Sequence, residues 1–193
     1  IRDRAGYGAN TATVKGGQGS ASSEVELSNG KKIKVGSLVI NNAVGNPLLN
    51  DGPNFLSGHL EVNNEFGGLT LSDQKYDGKI RAKRISNDFE QLNTVIGIVA
   101  TDAPLNRMQL KRMSIMCHGS ISRSIHPSHT PMDGDTIFAI STSDKCNDFC
   151  EEISKPDLTI IGSMASDTFS RACNRAIFEA KNIGGKPSWK DLF

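Results

Sequence analysis

Apolar and polar residues alternate over Val25-Glu26-Leu27 and over Ile33-Lys34-Val35, on either side of Ser28-Asn29-Gly30. A two-residue period marks a strand with one buried face. Asn-Gly suits a type I′ turn because both residues tolerate positive φ. The pattern predicts a hairpin whose second arm runs on through Ser37-Leu38-Val39-Ile40 into Asn41-Asn42-Ala43-Val44-Gly45. Thr94–Thr101 is a run of β-branched residues without polar alternation, which predicts a strand buried on both faces. Thr136–Ser141 predicts another strand.

Helical periodicity appears twice. Asn106 followed by Gln109 makes a capping box, with Leu105 and Leu110 at the staple positions. Leu110, Met113, Cys117 and Ile121 then share one stripe, which assigns Cys117 to a buried helix face. Asp157–Ile161 suits either a strand or the lead-in to a C-terminal helix. That helix turns Ala165, Phe169, Ala172, Ala176 and Ala180 inward and stops at Gly184.

Two stretches lack any period. Residues 1–23 are rich in Gly, Ala, Ser and Thr, with Lys15 interrupting the run; small residues let backbones approach closely or line a pocket. Residues 46–92 hold many Asn, Asp, Gly and Lys residues with Pro47 and Pro53, and predict a long, partly exposed connection.

Composition narrows the classes. The 193 residues suit one domain or two small ones. Lys+Arg is 22 against 21 Asp+Glu, a net charge of +1. That excludes a strong electrostatic footprint for nucleic acid or anionic membrane. No apolar run approaches the roughly 20 residues of a membrane span, and no signal peptide opens the chain. The first residue is Ile, which suggests a fragment, a processed product or an incomplete gene model. Four cysteines (Cys117, Cys146, Cys150, Cys173) are too few for a secreted disulfide framework, so reduced thiols and a cytoplasmic location are expected.

Several residues invite chemistry. Asn93-Thr94 opens a buried strand after a long loop. The ordinary reading is a turn residue followed by a good strand former. The sharper one is a self-cleaving bond, in which the Thr94 hydroxyl attacks the Asn93 carbonyl. The freed α-amine of Thr94 then serves as base for its own hydroxyl. Asp133-Gly134-Asp135 is either a solvated turn or a pair of carboxylates on one side of a strand, able to orient such an amine. Lys15 is either a surface lysine or a group that stabilises an oxyanion. Asn42 follows a strand, and its amide either satisfies nearby backbone or points into an oxyanion hole. His126, His129, Cys146 and Cys150 have only loosely zinc-like spacing, which weighs against a metal site. The N-terminal glycines lack the phosphate-loop pattern.

Taken together, five blocks resemble one family. They are Ala9–Gly17 with Gly19–Ser22, Leu38–Gly45, Asn93–Ala103, Arg123–Pro127 and His129–Thr136. The family is the DmpA-like peptidases, family S58, which holds L-aminopeptidase/D-esterases, β-peptidyl aminopeptidases and nylon-oligomer hydrolases. The resemblance implies an α+β fold, an αββα sandwich of the DmpA/ornithine acetyltransferase type, incomplete at its N-terminal side. It implies one partial domain over 1–193, cut into 1–93 and 94–193. By position Thr94 matches the nucleophile, Asn93 the residue before the cut and Asn42 the oxyanion-hole asparagine. Lys15, Asp133 and Asp135 match the supporting polar residues. No cofactor is expected, small peptides or amides are the implied substrates, and homotetramers the implied assembly. Two other readings stay open: a split or non-catalytic remnant that needs a further N-terminal half, and an acyltransferase like ornithine acetyltransferase.

Overall fold

The alternating arms form a long antiparallel hairpin, β1 (Gly17–Glu26) and β2 (Lys32–Asn42). In this computed structural model residues 5–69, 73–83, 93–144, 153–183 and 185–193 are described. β1 starts well before Val25, so the glycine- and serine-rich stretch is itself strand. The reason is close approach to a helix: a Cβ on Gly19 would meet Ala172 O and Ala176 N at 2.2 Å. The turn differs from the expected type I′. Only Gly30 has positive φ (79°). Gly30 N–H donates to Leu27 O, and Leu27 N–H to Lys31 O, both at 2.9 Å. Asn29 instead accepts the Lys31 N–H on its side chain (3.0 Å), and this local bond favours a longer loop with one left-handed glycine.

β3 (Thr94–Thr101) pairs antiparallel with β2, and β4 (Thr136–Ser141) pairs parallel with β3, giving the sheet order β1-β2-β3-β4. The parallel step needs a crossover, supplied by α1 (Arg107–Ser124). Its capping box is present: Gln109 N–H donates to Asn106 Oδ1 at 2.9 Å, and Asn106 N–H to Gln109 Oε1 at 3.2 Å. Asp157–Ile161 lies in helix, as the start of α2 (Lys155–Phe178), capped by Ser154. α2 ends before Gly184, which lies outside the described residues.

Both helices cover one face of the sheet. Val39, Val95 and Val99 meet Met113, Cys117, Ile121, Phe169 and Cys173 there, all fully buried. The opposite face is open. Leu38, Ile96, Phe138 and Ile140 expose 42, 40, 56 and 41% of their surface. β3 is therefore buried on one face rather than both, because among the described residues nothing covers its second face. Sheet and helices are α+β as expected, one sheet with one layer of helices on it.

The long connection carries only one 3₁₀ turn (Gly58–Leu60) among its described residues. Phe55 and Phe66 from it pack with Val14, Ile177 and Trp189, the last in the short helix α3 (Trp189–Leu192). Glu65 also pairs with Arg171 of α2. No described helix is long and apolar enough to cross a membrane.

Candidate active site

In the β2/β3 ladder Asn42 lies opposite Thr94. Directly opposed residues of an antiparallel pair project to the same face. That face is the open one, because Leu38, Ile40 and Asn42 follow one another at every second residue, as Thr94, Ile96 and Ile98 do. One residue earlier, Asn93 is buried (3% exposed) and bridges to Asp133, which extends the parallel β3/β4 pairing.

The carbonyl of Asn93 receives two donors. Thr94 Oγ1 donates to it at 2.5 Å and Gly134 N–H at 2.9 Å. The hydroxyl thus stands beside the bond it would attack, and a backbone N–H already sits on the oxygen that would gain charge.

The two carboxylates diverge. Asp133 Oδ1 accepts Val44 N–H (3.1 Å), while its Oδ2 accepts Thr130 N–H (3.1 Å) and Oγ1–H (2.7 Å). Asp135 Oδ1 accepts Val95 N–H (2.8 Å), and its Oδ2 lies 2.7 Å from His129 Nδ1. β4 starts only at Thr136, so the period-2 argument for one shared side does not apply. Each carboxylate instead clamps backbone beside the site, Asp133 past β2 and Asp135 next to Thr94. His129 is in turn held by His118 O at 3.2 Å. Burial pushes the His118 imidazole below its usual range, with His129 adding to the shift and Asp135 opposing it.

Lys15 is buried, and its Nζ donates to Tyr7 O at 2.8 Å. Burial lowers its pKa. A second lysine, absent from the sequence reasoning, makes the closer contacts. Lys83 Nζ donates to Asn93 Oδ1 (2.9 Å), Asn42 Oδ1 (3.0 Å) and Asn42 O (3.1 Å). Asn10 N–H also donates to Asn42 Oδ1 at 2.9 Å. Two donors on that oxygen fix which end of the Asn42 amide is which, and turn its NH₂ the other way. Burial lowers the Lys83 pKa to about 8; Lys186 and Lys15 push the same way and Asp133 opposes. Lysines recur through the loop at 75, 79 and 83, and no spacing separates Lys83 from the others. Only its tertiary contacts do.

A cavity of about 300 Å³ lies nearby, lined by Leu48, Leu56, Tyr76, Arg81, Arg123 and His126 among others. Thr94, Asn42 and the two aspartates do not line it. Of the loosely zinc-like set, Cys146 and Cys150 lie outside the described residues, and His129 is engaged with Asp135. Cys117 is in the core as expected, its thiol pushed up to about 12 by burial.

Comparison with known proteins bears on the family and the fold. The model of peptidase family S58 matches residues 4–189. An uncharacterized aminopeptidase of Mycobacterium leprae is 31% identical over 195 residues, covering 98% of this chain and 51% of that protein. A 6-aminohexanoate-oligomer endohydrolase of Paenarthrobacter ureafaciens is 35% identical over 63 residues, 33% of this chain and 18% of that one. Among solved structures, the L-aminopeptidase D-Ala-esterase/amidase of Ochrobactrum anthropi superposes with a TM-score of 0.64 at 25% identity. It covers 94% of this chain and 45% of its own, and is described as a variant of the Ntn hydrolase fold. The chain spans about half the length of the curated relatives it matches over its full extent.

Proposed function

The chain belongs to peptidase family S58, and from that premise we propose that it carries both sides of the processing bond of a self-cleaving amidohydrolase. The observation that carries this reading is the Asn93 carbonyl, which holds the Thr94 hydroxyl at 2.5 Å and the Gly134 N–H at 2.9 Å.

Thr94 Oγ attacks the Asn93 carbonyl carbon, and the Asn93–Thr94 C–N bond breaks. The hydroxyl proton ends on the Thr94 nitrogen, which leaves an ester and a free amine. Water hydrolyses the ester to an Asn93 carboxylate and restores the Thr94 hydroxyl. The new α-amine, with an ordinary pKa of about 8, then acts as base for that hydroxyl. In turnover Thr94 Oγ attacks the carbonyl of an N-terminal residue of a small peptide or amide, its proton passes by way of the α-amine to the departing amine as the amide C–N bond breaks, and water then hydrolyses the acyl ester. The Asn42 NH₂, with Lys15, stabilises the tetrahedral oxyanion. Asp133 holds the backbone of Val44, just past Asn42, and Asp135 that of Val95, just past Thr94. The chemistry calls for no cofactor.

The open sheet face bears on the whole protein. Thr94 and Asn42 stand at the end of that face, and the relatives carry about as much chain again. The remaining half of a family-length polypeptide supplies the second sheet over it and completes the site. This favours a catalytic unit that needs both halves.

The test is the intact mass of the freshly purified full-length protein beside its Thr94→Ala variant. Two fragments split between Asn93 and Thr94, absent in the variant, are expected, with hydrolysis of peptide amides only in the cut form. Hydrolysis that persists in Thr94→Ala would overturn the assignment.

A further inference from the structure

We propose that Lys83 is a positioning residue for the cleavage step, tying the side chain of Asn93, on the departing side of the bond, to Asn42, opposite Thr94. The inference rests on the cleavage reading above.

Lys83 lies ten residues before Asn93, on the same side of the cut. Its ammonium has three hydrogens and three acceptors: Asn93 Oδ1, Asn42 Oδ1 and Asn42 O. Residue 93 is thereby held at two points, its side chain by Lys83 and its carbonyl by Gly134 N–H (2.9 Å). Residue 94 is held by the ladder to Asn42, and Val95 by Asp135. A bond fixed on both sides meets its nucleophile without further ordering, which is the orientation effect that speeds intramolecular reactions.

The segment that delivers Lys83 has no regular structure, yet it is well anchored. Lys83 N–H donates to Val44 O at 2.9 Å. Arg81 pairs with Asp51 (2.6 Å) and Asp77 (2.8 Å). Asn50 donates to Lys75 O (2.7 Å) and accepts Asp77 N–H (3.0 Å). Ordering an irregular segment costs conformational entropy. None of these residues belongs to the sheet core, and their contacts anchor the segment that carries Lys83.

Three acceptors need the charged form. The groups that act on Lys83 are Lys186, Lys15 and Asp133, and the ammonium loses its third hydrogen as pH rises through about 8. Cleavage then slows, because Lys83 can donate to only two of its three acceptors.

The experiment follows the fragment beginning at Thr94 by intact mass, using full-length protein caught before it is cut, on both sides of about pH 8. Lys83→Met is expected to slow cutting roughly 10- to 100-fold, the worth of a buried hydrogen bond to a charged group. Lys83→Arg keeps its charge and is expected to cut without the decline at high pH. In an Asn93→Ala background Lys83→Met should act by a distinctly smaller factor, because one shared acceptor is already gone. Cutting by Lys83→Met at the wild-type rate overturns the proposal and leaves the cleavage reading intact. So does an equal slowing in both backgrounds without rescue by Arg. The wild-type profile needs no variant: a rate that climbs steadily through and above pH 8 also overturns it. A wild-type protein that is never cut overturns both readings.

Discussion

Asp135 accepts the backbone N–H of Val95 at 2.8 Å, so a carboxylate just ahead of the edge strand fixes the residue that follows Thr94. Its side chain is only 3% exposed and its other oxygen meets His129. Asp135→Ala would strand a Val95 N–H away from water, at about 1–3 kcal/mol. Asp135→Asn keeps an oxygen for that N–H. We expect urea denaturation to show most of the lost stability regained in the Asn variant. Cutting between Asn93 and Thr94 should slow in Asp135→Ala and recover in part in Asp135→Asn, which keeps the hold on Val95.

Gly134 is a sensitive position for a different reason. A Cβ there would sit 3.1 Å from Thr94 Oγ1. The hydroxyl has to give way by a few tenths of an ångström, which disturbs its bond to the Asn93 carbonyl. Gly134→Ala is expected to cost less than about 1 kcal/mol in stability, as no fold-bearing contact is lost. The cleavage rate, read by intact mass, should fall by at least about the tenfold that 1.4 kcal/mol of misorientation represents.

Arg171 reaches both oxygens of Glu65 and also donates to Ser22 O (3.0 Å) and Ser23 Oγ (2.8 Å). The pair is nearly buried, with side chains 10 and 13% exposed. Removing one partner leaves an uncompensated charge. Glu65→Ala should therefore destabilise the protein by about 3 kcal/mol, and added salt should change that loss little. Chemical denaturation at low and high salt checks both points.

The lysine at the site also predicts a pH dependence of stability. The Lys83 pKa is about 8 in the folded protein against an ordinary 10.5. Between those values the unfolded chain binds the proton and the folded chain does not. Stability contributed through Lys83 therefore rises with pH across that window. The difference in unfolding free energy between wild type and Lys83→Met should shift in favour of wild type from pH 8 to 10.5. A difference that stays flat across the window would contradict the burial of this amine.

The open face gives a prediction about assembly. Phe138 is 56% exposed beside Ile140 and, across the ladder, Ile98. Phe138→Glu should improve the solubility of the 193-residue chain, since it interrupts an apolar patch. If a second sheet covers this face, as the proposed reading has it, the same change in a family-length protein should lower the melting temperature, because the charge would be buried.

Much of this architecture was legible in the residues. The capping box at Asn106 and the stripe through Met113, Cys117 and Ile121 are local signals, and both are present in α1. Thr136–Ser141 is β4 with the bounds its β-branched run suggested. Less was legible where a neighbour decides the outcome. Gly17–Ser23 has no period to read, yet it is strand because a helix backbone crosses at Gly19. β3 looked buried on both faces, because apolar residues appear in sequence whether or not their partner layer is present.

The sequence by itself determined the periods, the caps and the order of the blocks that carry Lys15, Asn42, Thr94 and the two aspartates, because these depend on residues close together in the chain. The tertiary structure alone decided which groups meet. Asn93 and Thr94 are neighbours by covalent bond, but Gly134 N–H reaches their carbonyl only through parallel pairing, and Lys83 reaches Asn93 and Asn42 only through an irregular loop. Contacts between distant segments follow from packing, which has no period to read, and so a lysine among several in a loop became visible as part of the site only in three dimensions.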